Sequence, residues 1–204
     1  MRCVIVCNGE FCSRGFSVEE QDFVIAVDGG YAYIKDICQV DLAVGDFDSL
    51  GYIPEGIATL RHNPIKDYTD TYLAFEEAKS RGYDEFVVYG ALGGRLDHTL
   101  ANLQSAYEFA RQGVKVKLVG KDCIVEVVTG KKIISGRKGQ TFSLLAFDTA
   151  KGVYIKNGKY PLYDATLTNT FPLGVSNELL DGDCEIEIKE GYAALIVNNQ
   201  RDNK

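Results

Sequence analysis

The sequence of 204 residues contains no tryptophan and only two histidines, and none of its six cysteines belongs to a C-x-x-C pair. Structural zinc sites are usually built from closely spaced cysteine and histidine ligands, so this composition argues against a zinc site. We therefore interpret the cysteines as buried, reduced thiols.

Long apolar runs and an excess of positive charge are also missing. The first apolar run, CVIVC, is too short for a signal sequence, and no stretch approaches the roughly 18 apolar residues of a membrane-spanning helix. The net charge of −7 and the pI of about 4.9 disfavour binding to nucleic acid or anionic membranes. We expect a cytoplasmic protein that binds neither nucleic acid nor membranes.

The first 120 residues alternate short apolar runs with helical patterns. The predicted strands, apolar on both faces as central parallel strands are, read CVIVC, DFVIAVD, VDLAVGD, EFVVYGA and VKVKLVG. Helices are predicted near 30–38, 69–81 and 96–112. This alternation predicts an α/β N-terminal domain, residues 1–120, with a doubly wound and mostly parallel sheet.

The third predicted helix has the clearest pattern. An apolar stripe with spacings of four, three, four and three residues is formed by Leu96, Leu100, Leu103, Tyr107 and Ala110. Such a stripe is typical of an amphipathic helix that packs its apolar face on a core. For the second helix, Asp67 or Thr69 is a candidate N-cap.

The character of the sequence changes after about residue 121. Further predicted strands follow at short intervals, without a helical period, and read CIVEVVTG, QTFSLLAF, GVYIKNG, CEIEIKEG and YAALIVNN. They predict an all-β C-terminal domain, residues 121–204, which forms a small antiparallel sandwich or half-barrel. Gly174 is expected to end a strand, and Ser176 and Asn177 to form a turn.

Polar clusters follow the predicted strands of the N-terminal domain. Open α/β sheets bind ligands at the carboxyl ends of their strands, so these side chains should gather at one edge of the sheet. They are Asp28, Asp46, Asp48, Asp67, Asp70, Arg95 and Asp97. Any one of the aspartates alone is equally explained as a turn former or a helix cap. Several carboxylates together require cations, and their oxygen atoms favour Mg²⁺ or Ca²⁺.

The segment GALGGRLDH, residues 90–98, supplies complementary groups. Its three glycines allow close approach of the backbone to a ligand, Arg95 can bind phosphate through two N–H groups, and the following helix directs its positive end to the same place. The chain has neither a G-x-x-x-x-G-K-[ST] loop nor a G-x-G-x-x-G after the first strand, so any nucleotide is held differently. His98 and Asn102 share a helix face, either as a structural hydrogen-bonded pair or as ligand contacts.

The sequence resembles the thiamine pyrophosphokinase family in motifs that span nearly the whole chain. These motifs are DGG at 28–30, GDFDS at 45–49, KDYTDT at 66–71, GGRLDH at 93–98 with Asn102, and KYPL…GVSNE at 159–178. The resemblance implies an N-terminal α/β domain, a C-terminal β domain and a homodimer. It also implies transfer of pyrophosphate from ATP to the hydroxyl of thiamine, with release of AMP and a requirement for Mg²⁺.

The resemblance implies roles for individual residues as well. The metal ligands would be Asp46, Asp48, Asp67 and Asp70, and the catalytic residues Asp46, Asp48, Asp70 and Asp97. ATP would be bound by Asp28, Gly29, Gly93, Gly94, Arg95, His98 and Asn102. Thiamine would contact Ser176 and Asn177 near the subunit interface. Some members stack a tryptophan on thiamine, and because this chain has none, Tyr160 or Phe171 would supply the ring.

Two other functions are compatible with an Asp-x-Asp pair at a strand end. One is a metal-dependent nucleotidyl- or glycosyltransferase, for which thiamine would not promote formation of AMP. The other is a non-catalytic sensor, which would bind ATP or thiamine without turnover. The number of acidic residues at one edge favours catalysis.

Overall fold

A computed structural model of the chain describes residues 1–61 and 68–199, which fall into two compact units divided between Lys121 and Asp122. Twelve strands and three helices lie within these ranges. Asp67, a predicted metal ligand and candidate helix cap, lies outside the described residues. None of the three described helices has the length and apolar character that crossing a membrane requires.

The first unit contains one parallel sheet with the strand order β6-β5-β1-β2-β3-β4. Its elements are β1 (Arg2–Val6), β2 (Phe23–Val27), α1 (Gly30–Ile34), β3 (Leu42–Gly45), β4 (Ala58–Arg61), α2 (Asp70–Ser80), β5 (Glu85–Tyr89), α3 (Leu96–Arg111) and β6 (Lys115–Val119). The predicted strands and helices of this unit are all present. The short strand β4 has no counterpart in the sequence prediction, because its mostly exposed residues lack an apolar pattern.

Helices pack on both faces of this sheet. Side chains alternate along a strand, so Phe86 and Val87 of β5 point to opposite faces. Val87 belongs to the same buried cluster as Ile34 of α1. Phe86 contacts Phe75 of α2 and Phe109 of α3, with ring centroids 5.3 and 6.1 Å apart, respectively. The central strands are therefore covered on both sides, which explains their continuous apolar runs.

Helix α3 forms where the sequence predicts it, but its packing face coincides only in part with the predicted apolar stripe. Leu96 and Leu100 are 72% and 50% exposed. The buried positions are Asn102, Ser105, Ala106, Phe109 and Ala110. Of the predicted stripe, Ala110 is buried and Leu103 and Tyr107 are half-buried, so the packing face is shifted from the stripe toward the small side chains. Small side chains let the helix lie close to its neighbours around the single large ring of Phe109.

The second unit consists of strands that pair antiparallel. They are β7 (Cys123–Ile134), β8 (Thr141–Leu145), β9 (Thr149–Lys156), β10 (Leu162–Thr168), β11 (Gly174–Glu178) and β12 (Cys184–Asn198). Strand β12 pairs with β7 along most of its length, while its first part also pairs with β9 and its second part with β8. Side chains from β7, β8, β9, β10 and β12 share one buried cluster.

Three sequence predictions for this unit need correction. The two strands predicted from CEIEIKEG and YAALIVNN are the single strand β12. The sequence pattern does not predict strand β10, because its many exposed positions give no clear alternation of apolar and polar residues. Gly174 begins strand β11 rather than ending a strand, and the predicted turn at Ser176 and Asn177 lies inside β11.

Strand β12 contains one position that only glycine fits. The register of β12 against β7 shifts between Ile188 and Ala193. Within this shift Gly191 has a φ of 88°, and a Cβ atom there would lie 2.3 Å from the carbonyl oxygen of Thr149. Any side chain would therefore displace the neighbouring backbone.

Replacing Gly191 by alanine should destabilise the protein more than replacing Gly139. The matched control Gly139 has a φ of 80°, and a Cβ there would meet nothing within 4 Å. The left-handed conformation alone costs alanine about 1–2 kcal/mol, and overlap with packed neighbours adds about 1–3 kcal/mol. Urea denaturation of both variants measures the difference, and equal losses would contradict the close contact at Gly191.

Candidate functional site

The strand order of the parallel sheet reverses at β1. The chain proceeds from β1 to β2, β3 and β4 on one side, whereas β5 and β6 lie on the other side. The connections that follow β1 and β5 therefore lead to strands on opposite sides of this point, and open α/β sheets bind ligands at such switch points. A cleft of about 520 Å³ lies there, lined by residues 7–10, 27–28 and 69–71, by the loop after β5 and by the first turns of α3.

Three carboxylates meet at the same edge of the sheet. Oxygen atoms of Asp28, Asp46 and Asp48 all lie within 4.8 Å of one another. Asp28 follows β2, and Asp46 and Asp48 follow β3, so the parallel pairing of these two strands brings the side chains together. Their oxygen atoms form a set of hard ligands that suits a divalent cation such as Mg²⁺.

The cluster carries more negative charge than its surroundings compensate. Burial raises the pKa of Asp28 to about 6, and the carboxylates of Asp70, Asp46 and Asp48 contribute to the same shift. The N–H of Phe47 donates to Oδ1 of Asp28 over 3.0 Å, and this hydrogen bond opposes the rise in the pKa of Asp28. Electrostatics at this position therefore favours the gain of a proton or of a cation.

The end of β3 approaches Asp28 closely because Gly45 has no side chain. A Cβ atom at Gly45 would lie 2.4 Å from Oδ1 of Asp28, and the φ of Gly45 is 151°. In addition, the N–H of Asp28 donates to the carbonyl oxygen of Val44, the residue before Gly45, over 2.9 Å. The glycine before the Asp-x-Asp pair is thus required for the three carboxylates to meet.

The loop between β5 and α3 is shaped by glycines with positive φ. Gly90, Gly93 and Gly94 have φ angles of 65°, 83° and 67°. The N–H of Gly9 donates to the carbonyl oxygen of Gly90 over 2.9 Å, which joins the loops after β1 and β5. The hydroxyl of Thr99 lies 3.2 Å from the carbonyl oxygens of both Gly93 and Arg95 and can donate to either of them. The loop is held from both sides and leads directly into α3.

Arg95 and Asp97 form a two-point ion pair at the start of α3. The Nε and Nη2 atoms of Arg95 lie 3.1 and 2.7 Å from the two carboxylate oxygens of Asp97. The hydrogen bond from Arg95 lowers the pKa of Asp97 to about 2. Arg95 lines the cleft whereas Asp97 does not, and Asp97 is not part of the carboxylate cluster. This geometry indicates that Asp97 orients the guanidinium group of Arg95.

Asn102 and His98 line the cleft without bonding to each other. Asn102 is 6% exposed, and its Nδ2 donates to the carbonyl oxygen of Ala91 over 2.9 Å. Within the described part of the chain, Oδ1 of Asn102 has no hydrogen-bond partner, and His98 forms no bond to Asn102. The structural-pair alternative is therefore not supported, and the buried carboxamide oxygen remains available to a ligand.

Two further predicted residues have clear positions. Asp70 is the first residue of α2 and lines the cleft, while the preceding Thr69 caps the helix by accepting the N–H of Tyr72 over 3.2 Å. Gly29 lies so close to Asn8 that a Cβ atom would be 2.1 Å from its Oδ1. A side chain at this position would therefore collide with Asn8, and Gly29 itself does not line the cleft.

Several residues that line the cleft were not identified from the sequence. Cys7, Asn8 and Glu10 lie in the loop after β1. Their signal is the polar segment CNGE directly after a buried strand, the same signal that marks the aspartates. Thr71 lies in the first turn of α2, and its hydroxyl is 3.5 Å from the Sγ atom of Cys7. No local pattern distinguishes Thr71 from an ordinary helical residue.

Asn177 of the second unit uses its side chain on the backbone. It is 3% exposed, and its Oδ1 accepts from the N–H groups of Tyr160 and Glu178 over 3.0 and 2.9 Å. Its Nδ2 donates to the carbonyl oxygen of Tyr160 over 2.7 Å. The neighbouring Ser176 is exposed, with a φ of 59°. Asn177 therefore holds Tyr160 in place and offers little hydrogen-bonding capacity to a ligand.

The two candidate aromatic residues differ in how they are supported. Tyr160 and Phe171 are 56% and 64% exposed. The Nζ atom of Lys159 lies 5.5 Å from the ring centroid of Tyr160 and 2.7 Å from a carboxylate oxygen of Glu178. Of the two candidates in the described structure, Tyr160 is the one whose backbone a buried side chain holds at both its N–H and its carbonyl.

Comparison with known proteins gives consistent results. A thiamine pyrophosphokinase of Bacillus subtilis is 27% identical over 188 residues, which cover 87% of this chain and 88% of that protein. Thiamin pyrophosphokinase 1 of Caenorhabditis elegans is 35% identical over 94 residues, or 42% of this chain and 39% of that protein. The crystal structure of thiamine pyrophosphokinase from Bacillus subtilis has the same fold, with a TM-score of 0.85 and 24% identity over 98% of this chain and 100% of that one.

Family comparison covers most of the sequence in two regions. Residues 17–118 match the family model described as thiamin pyrophosphokinase, catalytic domain. Residues 127–193 match the model described as thiamin pyrophosphokinase, vitamin B1 binding domain. The first region lies in the unit that contains the carboxylate cluster, and the second lies in the unit of antiparallel strands. The chain therefore belongs to the thiamin pyrophosphokinase family.

Proposed function

We propose that this protein transfers pyrophosphate from ATP to the hydroxyl of thiamine and releases thiamine diphosphate and AMP. As a member of the thiamin pyrophosphokinase family it is an enzyme of the thiamine diphosphokinase class. The observation that carries the proposal is the meeting of Asp28, Asp46 and Asp48 at the edge that also holds a glycine-rich loop and the start of α3. A nucleoside triphosphate needs both a cation and N–H donors, and this edge can supply both.

The proposed cation is Mg²⁺, and the side chains present fit it. Mg²⁺ is commonly bound by one or two carboxylates together with water and substrate phosphates. Asp46 and Asp48 would be its ligands, with Asp28 and Asp70 close by, and Asp67 remains a prediction from the sequence. The raised pKa of Asp28 supports the assignment, because it means that the cluster gains from added positive charge. When bound, Mg²⁺ would neutralise charge that develops on the phosphoryl oxygens.

Phosphate oxygens would be bound at the start of α3. Arg95 and the N–H groups of Gly93 and Gly94 are suited to this role, since helix N-termini and guanidinium groups both favour phosphate. We assign to Asp97 the orientation of Arg95. Asn102 would accept a hydrogen bond from the nucleoside, because a buried carboxamide oxygen without a partner is costly in free energy. His98 lines the same wall of the cleft.

The transfer itself depends mainly on positioning. The thiamine hydroxyl attacks the β-phosphorus while AMP leaves, and the side chains hold the two reactants in line. Negative charge develops on oxygen atoms that Arg95 and the loop N–H groups would face. A carboxylate of the acidic edge can accept the proton of the hydroxyl, and no separate base is required.

The second unit would bind thiamine. The support is the match of residues 127–193 to the vitamin B1 binding domain and the exposed ring of Tyr160. We assign the stacking contact to Tyr160 rather than to Phe171, because Asn177 fixes the backbone of Tyr160. Ser176 is exposed and would contact thiamine directly. Asn177 would act on thiamine through Tyr160.

Assembly, domain organisation and location complete the proposal. The family resemblance implies a homodimer whose thiamine site lies near the subunit interface. The first 120 residues would form a doubly wound α/β catalytic domain that binds nucleotide and metal, and residues 121–204 a β-sandwich for thiamine binding and dimerisation. We also propose a cytoplasmic location, where the co-substrate ATP is available.

Asp46→Asn and Asp48→Asn should each abolish most of the activity without unfolding the protein. Removal of a metal ligand weakens stabilisation of the transition state by several kcal/mol, which corresponds to a rate loss of roughly 100- to 1000-fold. The measurement is chromatography of AMP and thiamine diphosphate formed from ATP, Mg²⁺ and thiamine. The exposed Asp36 provides the control variant Asp36→Asn, which should retain full activity.

Near-normal turnover of both variants at saturating Mg²⁺ would refute the metal assignment. Absence of thiamine-dependent AMP formation by the wild-type protein would instead favour a nucleotidyl- or glycosyltransferase. Binding of ATP and thiamine without any product would indicate a sensor.

Asp28→Asn should stabilise the metal-free protein at neutral pH. The folded-state pKa of about 6 exceeds the ordinary value of 3.8, so the folded protein binds this proton more tightly than the unfolded chain does. The ionised carboxylate therefore destabilises the fold progressively as the pH rises from about 4 to above about 6. Asparagine avoids this charge and still accepts the N–H of Phe47.

Thermal denaturation in the presence of a chelator tests this expectation. The Tm of Asp28→Asn should exceed that of the wild type at about pH 7 and match it at about pH 4. Asp36→Asn should show no such dependence. A difference in Tm that stays constant between the two pH values would contradict the electrostatic origin of the effect.

Asn177→Ala should raise the KM for thiamine about tenfold or more and leave the KM for ATP nearly unchanged. The expected size follows from about 1–3 kcal/mol for lost hydrogen bonds to buried groups. If Asn177 acts through Tyr160, then Tyr160→Ala should have a similar effect, and the double variant should be little worse than the more impaired single variant.

Two controls accompany this double-mutant cycle. Tyr160→Phe keeps the ring and should retain a nearly normal KM for thiamine, and Phe171→Ala should be nearly neutral. Fully additive effects of Asn177→Ala and Tyr160→Ala would mean that Asn177 acts independently of the ring. Equal increases in the KM values for ATP and thiamine would point to a general loss of structure.

A further inference from the structure

Phe47, which separates the two aspartates of GDFDS, combines features that the proposed reaction alone does not explain. Its side chain is 3% exposed, and its φ is 63°. Positive φ is rare for a large side chain and costs conformational free energy, whereas glycine or asparagine adopts it readily. A phenylalanine in this conformation must be held there by its surroundings.

Hydrogen bonds hold the backbone of Phe47 on both sides. Its N–H donates to Oδ1 of Asp28 over 3.0 Å. Its carbonyl oxygen accepts from the N–H groups of Leu50 and Gly51 over 3.3 and 3.1 Å. The left-handed conformation therefore presents the N–H to a carboxylate of the neighbouring strand end and closes the turn that follows.

The same turn constrains the other two carboxylates. The N–H of Asp48 donates to Oδ1 of Asp46 over 3.1 Å. While the ring of Phe47 is buried, both flanking side chains reach the cluster with Asp28. Three like charges within 4.8 Å repel each other, so an unanchored turn would move to separate them.

We propose that Phe47 is a positioning residue that assembles the carboxylate cluster before any cation binds. Its buried ring anchors the turn against the repulsion, and its left-handed backbone fixes Asp46 and Asp48 opposite Asp28. The inference rests on the proposed function only for the identity of the cation. Phe47 acts through the aspartates and does not itself contact the cation.

A purely structural role for Phe47 makes a different prediction. If the ring only fills space in the core, its loss lowers stability and leaves cation affinity of the folded protein unchanged. If the ring positions the cluster, cation affinity falls even at temperatures at which the variant is fully folded. Residues that support metal ligands without touching the metal typically change affinity by about 10- to 100-fold.

The test measures binding of Mn²⁺ alone, by electron paramagnetic resonance of the free ion, without nucleotide or thiamine. Phe47→Gly keeps the positive φ accessible and removes the anchor. Its dissociation constant for Mn²⁺ should rise about tenfold or more relative to the wild type. Circular dichroism at the same temperature verifies that the variant is folded.

Phe142→Leu is the matched control, because Phe142 of β8 is fully buried in the second unit. It should lower the Tm and leave Mn²⁺ binding unchanged. Phe47→Leu keeps a shorter apolar anchor and should give an intermediate dissociation constant. This second variant decides the question if Phe47→Gly does not fold.

Wild-type affinity for Mn²⁺ in folded Phe47→Gly, or in Phe47→Leu if the glycine variant does not fold, would overturn the proposal. Absence of Mn²⁺ binding by the wild-type protein at millimolar concentration would also overturn it, because no assembled cluster would then exist. The readout does not depend on turnover. A wild-type protein that binds Mn²⁺ but forms no thiamine diphosphate would therefore contradict the proposed function and leave the positioning role supported.

Discussion

Mutual repulsion among the carboxylates of Asp28, Asp46 and Asp48 is the constraint on which the arrangement of the first unit depends. At 4.8 Å, two unit charges repel by roughly 1 kcal/mol in bulk water and roughly 3.5 kcal/mol at an effective dielectric constant of 20. The fold holds them together because β2 and β3 end side by side and because Gly45 leaves room for Asp28. Backbone N–H groups offset part of the charge. The remaining charge is the reason that we propose a cation at this edge.

The strand order sets the distance between the carboxylate cluster and the glycine-rich loop after β5. In the sequence of neighbours β5-β1-β2-β3, the glycine-rich loop follows β5, whereas the aspartates follow β2 and β3. Adjacent strands lie about 4.8 Å apart, so a ligand that reaches both parts must span roughly 10–14 Å. An extended triphosphate with its nucleoside has this length, and a single phosphate group does not. A ligand bound at both parts would need this length, which supports our proposal that the co-substrate is a nucleoside triphosphate.

Much of the site could be predicted because it follows from strand order. Polar residues directly after buried strands must meet at one edge of a parallel sheet, which is why Asp28, Asp46 and Asp48 were found from the sequence. The packing face of α3 was not, because the apolar character of Leu96 and Leu100 does not reveal that smaller side chains pack closer. Backbone angles such as the positive φ at Phe47 also leave no mark in the residue pattern.

The hydrogen-bonding capacity of a carboxamide distinguishes a ligand contact from a positioning residue. Asn177 directs its oxygen and its amino group to backbone atoms, and its main partner, Tyr160, is 17 residues away in the sequence, so no local pattern could indicate the bond. Asn102 uses only its amino group, on Ala91, and keeps its oxygen. Both residues are buried, and both lie in the segments through which the sequence resembles the family. The number of bonds that each carboxamide makes is therefore the basis on which we propose direct ligand binding for Asn102 and an indirect role for Asn177.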